Sequence, residues 1–216
     1  SGAPGMMGNV YTWAEVTGFR SDNYGSGNGT LGGSGLQLGA DIGLGPDMVA
    51  GLSIGHTGYN SQDGGIRTEG TLTYLQPYFA YRSGAWHGNA SLLYGVGSLD
   101  QTSLGGDGAA DVTLAALTFE GGYDHALDEQ FTLTPTIGLL HGREQIDGTG
   151  GTLAGTSEDV TFSQFSLGGR LTHDSDNGGV FMALHADYLT NETGSILASD
   201  LLSSDGWTGR VEVGAD

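Results

Sequence analysis

The chain has 216 residues and no cysteine, which excludes a disulfide framework, a thiolate metal site and a cysteine nucleophile. It carries 25 Asp and Glu against 6 basic residues, all Arg, for a formal net charge of −19. That sign is wrong for gripping a nucleic-acid backbone, so no nucleic-acid partner is expected, and it suits acidic, well-solvated loops.

No apolar run approaches the ~18 residues of a membrane-crossing helix. Membrane β-strands are not excluded by this, because each needs only about ten residues of alternation. The start, Ser1-Gly2-Ala3-Pro4-Gly5, has neither the basic n-region nor the apolar h-region of a secretory signal. Residues 1–8 are expected as an N-terminal tail or linker and residues 9–216 as one domain.

Alternation with a period of two begins near Val10–Phe19 and recurs to the end of the chain in about ten segments. The clearest pair lies between Ser34 and Tyr59. Leu36, Leu38, Ala40, Ile42 and Leu44 alternate with Gly35, Gln37, Gly39, Asp41 and Gly43. After Gly45-Pro46-Asp47, a tight-turn sequence, Met48, Ala50, Leu52 and Ile54 alternate with Val49, Gly51, Ser53, Gly55 and Thr57. The fourth segment, near Thr68–Arg82, sets Leu75, Pro77, Phe79 and Tyr81 against Gln76, Tyr78, Ala80 and Arg82. Leu92 and Tyr94 mark the apolar face of the fifth, Trp86–Ser98, and Leu117, Phe119 and Tyr123 that of the sixth, Val112–His125, where Glu120 lies opposite. The seventh, Phe131–Arg143, carries Leu133, Pro135, Ile137 and Leu139, and the eighth, Val160–His173, carries Phe165, Leu167 and Leu171 against Gln164, Ser166 and Arg170. In the ninth, Val180–Leu189, Met182, Leu184 and Tyr188 face away from His185 and Asp187. The last, Trp207–Asp216, sets Trp207, Val211 and Val213 against Arg210 and Glu212. Pro77 and Pro135 are expected to disturb their strands locally, since proline lacks the ladder N–H.

The connections alternate in length. Gly45–Asp47, Ser83–Gly84, Asp128–Gln130 and Asp174–Gly178 are tight; Arg20–Gly33, Asn60–Gly65, Leu99–Ala110, Asp147–Glu158 and Asn191–Gly206 are expected as long polar loops. A meander with one trimmed end and one long-looped end has the asymmetry of outer-membrane barrels, with the short turns periplasmic.

Alternation alone fits either a soluble barrel or an inverted, lipid-facing one. Three features favour the second: a polar face of Gly, Ser, Thr and Gln in place of Lys, Arg and Glu; the lack of Lys; and aromatics near strand ends (Tyr81, Trp86, Tyr123, Phe131, Tyr188, Trp207), where a membrane interface would place them. The expected fold class is therefore all-β: an antiparallel up-and-down transmembrane β-barrel in the bacterial outer membrane. About ten strands are present. Leu36, Leu38, Ile42, Leu52, Ile54, Phe79, Leu92, Phe119, Leu133, Ile137, Leu139, Leu167, Leu184, Val211 and Val213 are expected to face lipid. Gln37, Asp41, Ser53, Gln76, Tyr78, Arg82, Glu120, Gln164, Arg170, His185, Asp187, Arg210 and Glu212 are expected to line the lumen.

Several stretches resemble the β-domain of type V secretion autotransporters. They are Trp13-Ala14-Glu15-Val16-Thr17-Gly18, Gly35–Asp41, Pro46–Gly55, Leu75–Arg82, Glu120–Tyr123, Ser166–Arg170 and Gly209–Asp216. The resemblance implies a C-terminal translocator, a barrel of about twelve strands of which about ten are present here, inserted by the barrel-assembly machinery. It would anchor an N-terminal passenger and help it reach the cell surface. A stand-alone porin or adhesin-like barrel is the alternative.

Gly35, Gly39, Gly43, Gly51 and Gly55 leave two readings open: a bare wall along which a polypeptide could lie, or a surface that neighbouring aromatics cover. Arg170 and Arg210 with Glu120 and Glu212 are the expected ion-pair network. His185-x-Asp187 would suit an outer-membrane protease, but the only Asp-x-Asp, Asp174-Ser175-Asp176, lies in a tight turn at the wrong end, so no enzyme activity is expected. Nor is a barrel lipase, despite the many serines. His56, His87, His125, His141 and His173 are scattered without ligand spacing, and the Asp174–Gly179 stretch matches a calcium loop poorly. Asp22, Asp107, Asp147 and Asp159 are expected to be solvated rather than metal-bound. No cofactor and no metal are expected.

Overall fold

The computed structural model describes residues 5–7, 10–24, 29–175, 178–192 and 206–215. The strands are β1 (Gly5–Met7), β2 (Val10–Tyr24), β3 (Gly29–Gly43), β4 (Met48–Asp63), β5 (Ile66–Ser83), β6 (Trp86–Ser103), β7 (Gly106–Tyr123), β8 (His125–Ala126), β9 (Phe131–Gly151), β10 (Ser157–Ser175), β11 (Gly178–Glu192) and β12 (Gly206–Ala215). Ten of these are long, one for each alternating segment. All pair antiparallel with their sequence neighbours in a single up-and-down sheet, with the stub β8 alongside β9. Within the stretch expected as a tail, Gly5–Met7 pairs with Val10–Thr12. Among the described residues no pairing joins β12 to β1 or β2.

The alternation produces this meander because each strand exposes one apolar face and must satisfy its backbone through its neighbours. Pro77 has no N–H to give, and the β5–β6 ladder lapses at Gln76 and Pro77 without a change of register. The β7–β9 ladder ends at Gly122↔Thr136, next to Pro135.

Three of the expected loops are strand. β4 and β5 run to a two-residue turn at Gly64 (φ 55°) and Gly65 (φ 85°), the two left-handed positions of a type I′ hairpin. β6 and β7 continue to Ser103 and Gly106, and β9 and β10 to Gly151 and Ser157. Arg20–Tyr24 and Gly29–Gly33 likewise extend β2 and β3. Residues 25–28 and 193–205, the rest of two expected loops, lie outside the described residues, as do Asp176 and Asn177. The Gly, Ser, Asp and Thr content of Asn60–Asp63, Leu99–Ser103, Gly106–Ala110, Asp147–Gly151 and Ser157–Glu158 suggested loop, yet these residues are strand. Their polar residues take every second position and face outward, as Asp100, Asp111, Arg143 and Asp147 do.

The apolar phase reverses along each of these strands. In β6, Trp86, Leu92, Tyr94 and Val96, all even positions, are apolar and exposed; beyond them Leu99, an odd position, is fully buried. Leu117 and Phe119 of β7 are exposed, whereas Val112 and Ala110 are buried in the opposite phase. The same reversal separates Leu139 from Ile146 in β9 and Phe165 from Val160 and Phe162 in β10. A band of about ten residues per strand is thus membrane-like, and above it the sheet is patterned like a soluble protein. Leu99, Ala110, Val112 and Ile146 form one inner cluster under Leu153; Val160 and Phe162 form another with Leu114 and Leu140.

Within the band, rings lie on glycines. Trp13 is paired with Gly39, Tyr78 with Gly51, Tyr74 with Gly55, His87 with Gly122, His185 with Gly168 and Phe181 with Gly214, and each ring occupies the space a Cβ on its glycine would need. Tyr59 on Gly70 and Phe162 on Gly142 repeat this above the band. Gly35 is covered by Thr17 and Thr57, whereas Gly43 has nothing within 4 Å. The glycine wall is therefore covered at four of its five positions and bare at Gly43. Gly39→Val is expected to lose about 1–3 kcal/mol by overpacking against Trp13, and Gly43→Ala to stay within about 0.5 kcal/mol of wild type, both read by reversible urea unfolding in lipid vesicles.

Candidate functional site

Two hydrogen-bonded groups line the inner face of β2–β7. In the first, Trp13 Nε1 donates to Tyr78 Oη (2.8 Å) and Asp41 Oδ1 (3.2 Å), and Tyr78 Oη donates to the same Asp41 oxygen. The rings of Trp13 and Tyr78, three strands apart, come within 6.3 Å because Gly39 and Gly51 raise no side chain between them. In the second, Gln37 Nε2 donates to Ser53 Oγ (2.7 Å) and Gln76 Oε1 (2.9 Å), Gln76 Nε2 donates to Ser91 Oγ (2.9 Å), and Ser91 bonds Thr118. Tyr74 Oη donates to Gln37 Oε1 at 3.3 Å. A continuous belt of neutral amides and hydroxyls thus crosses five strands, and each buried polar atom in it has the partner it needs.

The other half of the inner face is looser. Arg210 pairs with Glu212 two residues along its own strand (3.4 Å). Arg170 stacks on Phe181, 3.6 Å from the ring centroid, and its Nε donates to Thr172. Glu120 joins no ion pair among the described residues, so the expected four-residue network does not close through it. Gln164 Nε2 donates to Ser166 Oγ at 3.2 Å. Asp187 is 8% exposed, and its Oδ1 has no hydrogen-bond partner; the His185 ring lies on Gly168 instead. Arg82 sits at the tight-turn rim, where it pairs with Asp124, which also accepts from Thr134 Oγ1.

Trp13, Tyr74, Ser91, Thr118 and Asp124 belong to these clusters and were not singled out from the sequence. Trp13 carried a usable signal: it is in the opposite phase to Val10, Ala14 and Val16. The fifteen residues expected to face lipid are all exposed, from Phe79 at 38% to Val213 at 76%, on the side away from the polar belt. Rings pair on that apolar side, Trp86 with Tyr123 and Tyr188 with Trp207.

Above the band the inner surface changes character. Glu144 is 5% exposed among the apolar clusters. Tyr59 Oη is buried without a hydrogen-bond partner. Burial first, and the Glu144 carboxylate second, push its phenol well above the ordinary tyrosine range. A raised folded-state pKa keeps its stability contribution below about pH 10 and loses it as pH climbs toward the folded value.

Asp41→Ala is expected to cost about 1–3 kcal/mol, because it strands the Trp13 N–H and the Tyr78 hydroxyl, whereas Glu120→Ala should change stability by less than about 0.5 kcal/mol; urea unfolding followed by tryptophan fluorescence distinguishes them. Tyr59→Phe, which deletes an unpartnered hydroxyl, is expected to leave stability at pH 7 unchanged or higher and to reduce its fall above about pH 10, measured by the same unfolding across pH.

The sequence model of the family described as the autotransporter beta-domain matches residues 12–216. Among solved structures, the chain is similar to the translocator domain of the autotransporter NalP from Neisseria meningitidis. The TM-score is 0.73 at 16% identity, covering 95% of this chain and 74% of that one. It is also similar to the beta domain of the Bordetella autotransporter BrkA, with a TM-score of 0.70 at 21% identity, covering 96% of this chain and 85% of that one. Direct sequence comparison with curated proteins gives no significant match.

Proposed function

The chain belongs to the autotransporter β-domain family, whose barrels reside in the bacterial outer membrane, and on that premise we propose that it anchors an N-terminal passenger and helps export it to the cell surface. The family match over residues 12–216 carries this reading. The exposed apolar band meets hydrocarbon, the inner belt from Gln37 to Thr118 meets water or the passing chain, and the tight turns face the periplasm. The barrel-assembly machinery is the partner for insertion. The mechanism is architectural and includes no catalytic step.

The neutral belt on the inner wall suits passage of a polypeptide. Its amides and hydroxyls are already satisfied by one another, so an extended chain can slide past without meeting a strong fixed site. Against the porin reading stands the apolar inner surface at Leu99, Val112, Ile146 and Val160, which does not favour a water-filled channel through that end.

Fused behind a reporter passenger and expressed in a Gram-negative host, the chain is expected to render the reporter sensitive to protease added outside intact cells. A reporter that stays protected while the barrel is inserted would refute the export role. Ile137→Arg, on the exposed band, is expected to cost about 2–4 kcal/mol of stability in the bilayer and to lower the inserted fraction, read by heat-modifiable migration in gels.

A further inference from the structure

A trough of about 620 Å³ crosses the apolar face near the tight-turn rim. Its floor is a cross-strand pair of glycines, Gly88 and Gly121, at positions where the neighbouring rows carry Trp86 opposite Tyr123 and Ala90 opposite Phe119. Two strands thus lose their side chains at one level. Phe79 of β5 and Ile137 of β9 wall the gap on either side. The Trp86 and Tyr123 rings, 4.8 Å apart, close it toward the rim.

We propose that this trough holds one acyl chain of a phospholipid, retained with the protein rather than exchanging with the bulk bilayer. The proposal rests on the membrane-facing reading given above. It follows from continuity: the trough opens in the band that meets hydrocarbon, and its exposed lining is almost wholly apolar. A void there would forfeit dispersion contacts with every ring around it. An acyl chain is narrow and flexible enough to enter a notch two strands wide. The volume lies within the roughly 300–1,000 Å³ in which clefts enclose small ligands. The tight-turn rim faces the periplasm in this reading, which makes a phospholipid the source of the chain.

Gly121 gives the test. A Cβ there meets only ordinary contacts, the nearest being Phe119 at 3.6 Å, so Gly121→Leu places a side chain on the floor of the trough. Gly209, on the apolar side of β12, has nothing within 4 Å, and Gly209→Leu is the matched control. The chain and both variants are reconstituted with phosphatidylethanolamine and phosphatidylglycerol, exchanged into detergent and weighed by native mass spectrometry. Wild type and Gly209→Leu are expected to carry one phospholipid; Gly121→Leu should lose about tenfold of that occupancy.

A second measurement needs no filled trough. In chains keeping only Trp86 or only Trp207, phospholipid with brominated acyl chains should quench Trp86 at about a tenth of the lipid fraction needed for Trp207. Equal retention by Gly121→Leu and wild type, no retention by wild type, or equal quenching of the two tryptophans overturns the proposal. So does a dimer that Gly121→Leu abolishes, which would assign the trough to a second copy. If no chain enters the bilayer at all, the membrane-facing reading has failed, and that outcome is separate because it removes every embedded sample alike.

Discussion

The sheet depends on a steric exchange between strands: a ring on one strand takes the space that a side chain on its direct neighbour would have filled. Trp13 on Gly39, Tyr78 on Gly51 and Tyr74 on Gly55 are the clearest cases. A wall of glycines alone would be weakly registered and poorly packed, and a wall of rings alone would not fit a curved inner surface. Placed opposite each other, the two residue types fix the register, because a slip of one position puts the ring against a side chain and turns both strands over. The same arrangement clears the space through which Trp13 reaches Tyr78 and Asp41.

The inner polar belt follows from this geometry. With rings lying flat over glycines, the short polar residues between them bond across the strands: Ser53 accepts from Gln37, Ser91 accepts from Gln76, and Ser91 bonds Thr118. Neutral groups satisfy one another without the desolvation cost of buried charge, and the few charged residues pair near rims or along one strand, as Arg82 and Arg210 do. The wall is consequently firm on the β2–β7 side and looser where Glu120, His185 and Asp187 lie.

The phase reversal along the strands gives the barrel two regions with different solvents. In the band, the side away from the polar belt carries Leu36, Leu52 and Ile137; above it, that side carries Asp100, Arg143 and Asp159, with Arg143 and Asp159 paired at 2.9 Å. The apolar residues of the upper region point inward because no hydrocarbon surrounds it, and they pack as the core of a soluble sheet does. This makes the upper end of the interior a different environment from the polar belt below it.

The sequence by itself determined the ten long strands, their antiparallel order and the two faces of each within the band, because a period of two is a local property of the chain and the turns at Pro46 and Gly84 are written in their residues. It also carried the family, in stretches such as Trp13–Gly18 and Leu75–Arg82. The extensions past Val96, Ile54 and Leu139 looked like loops because their apolar residues change phase, and a reader following one phase sees only Gly, Ser and Asp. Which residues meet across strands was decided only by the tertiary structure. Trp13 and Tyr78 are far apart in the chain, and their shared contact with Asp41 depends on register and curvature together. The ion pair expected of Glu120 failed for the same reason: sharing a face is a property of one strand, whereas reaching a partner depends on where the neighbouring strands place it.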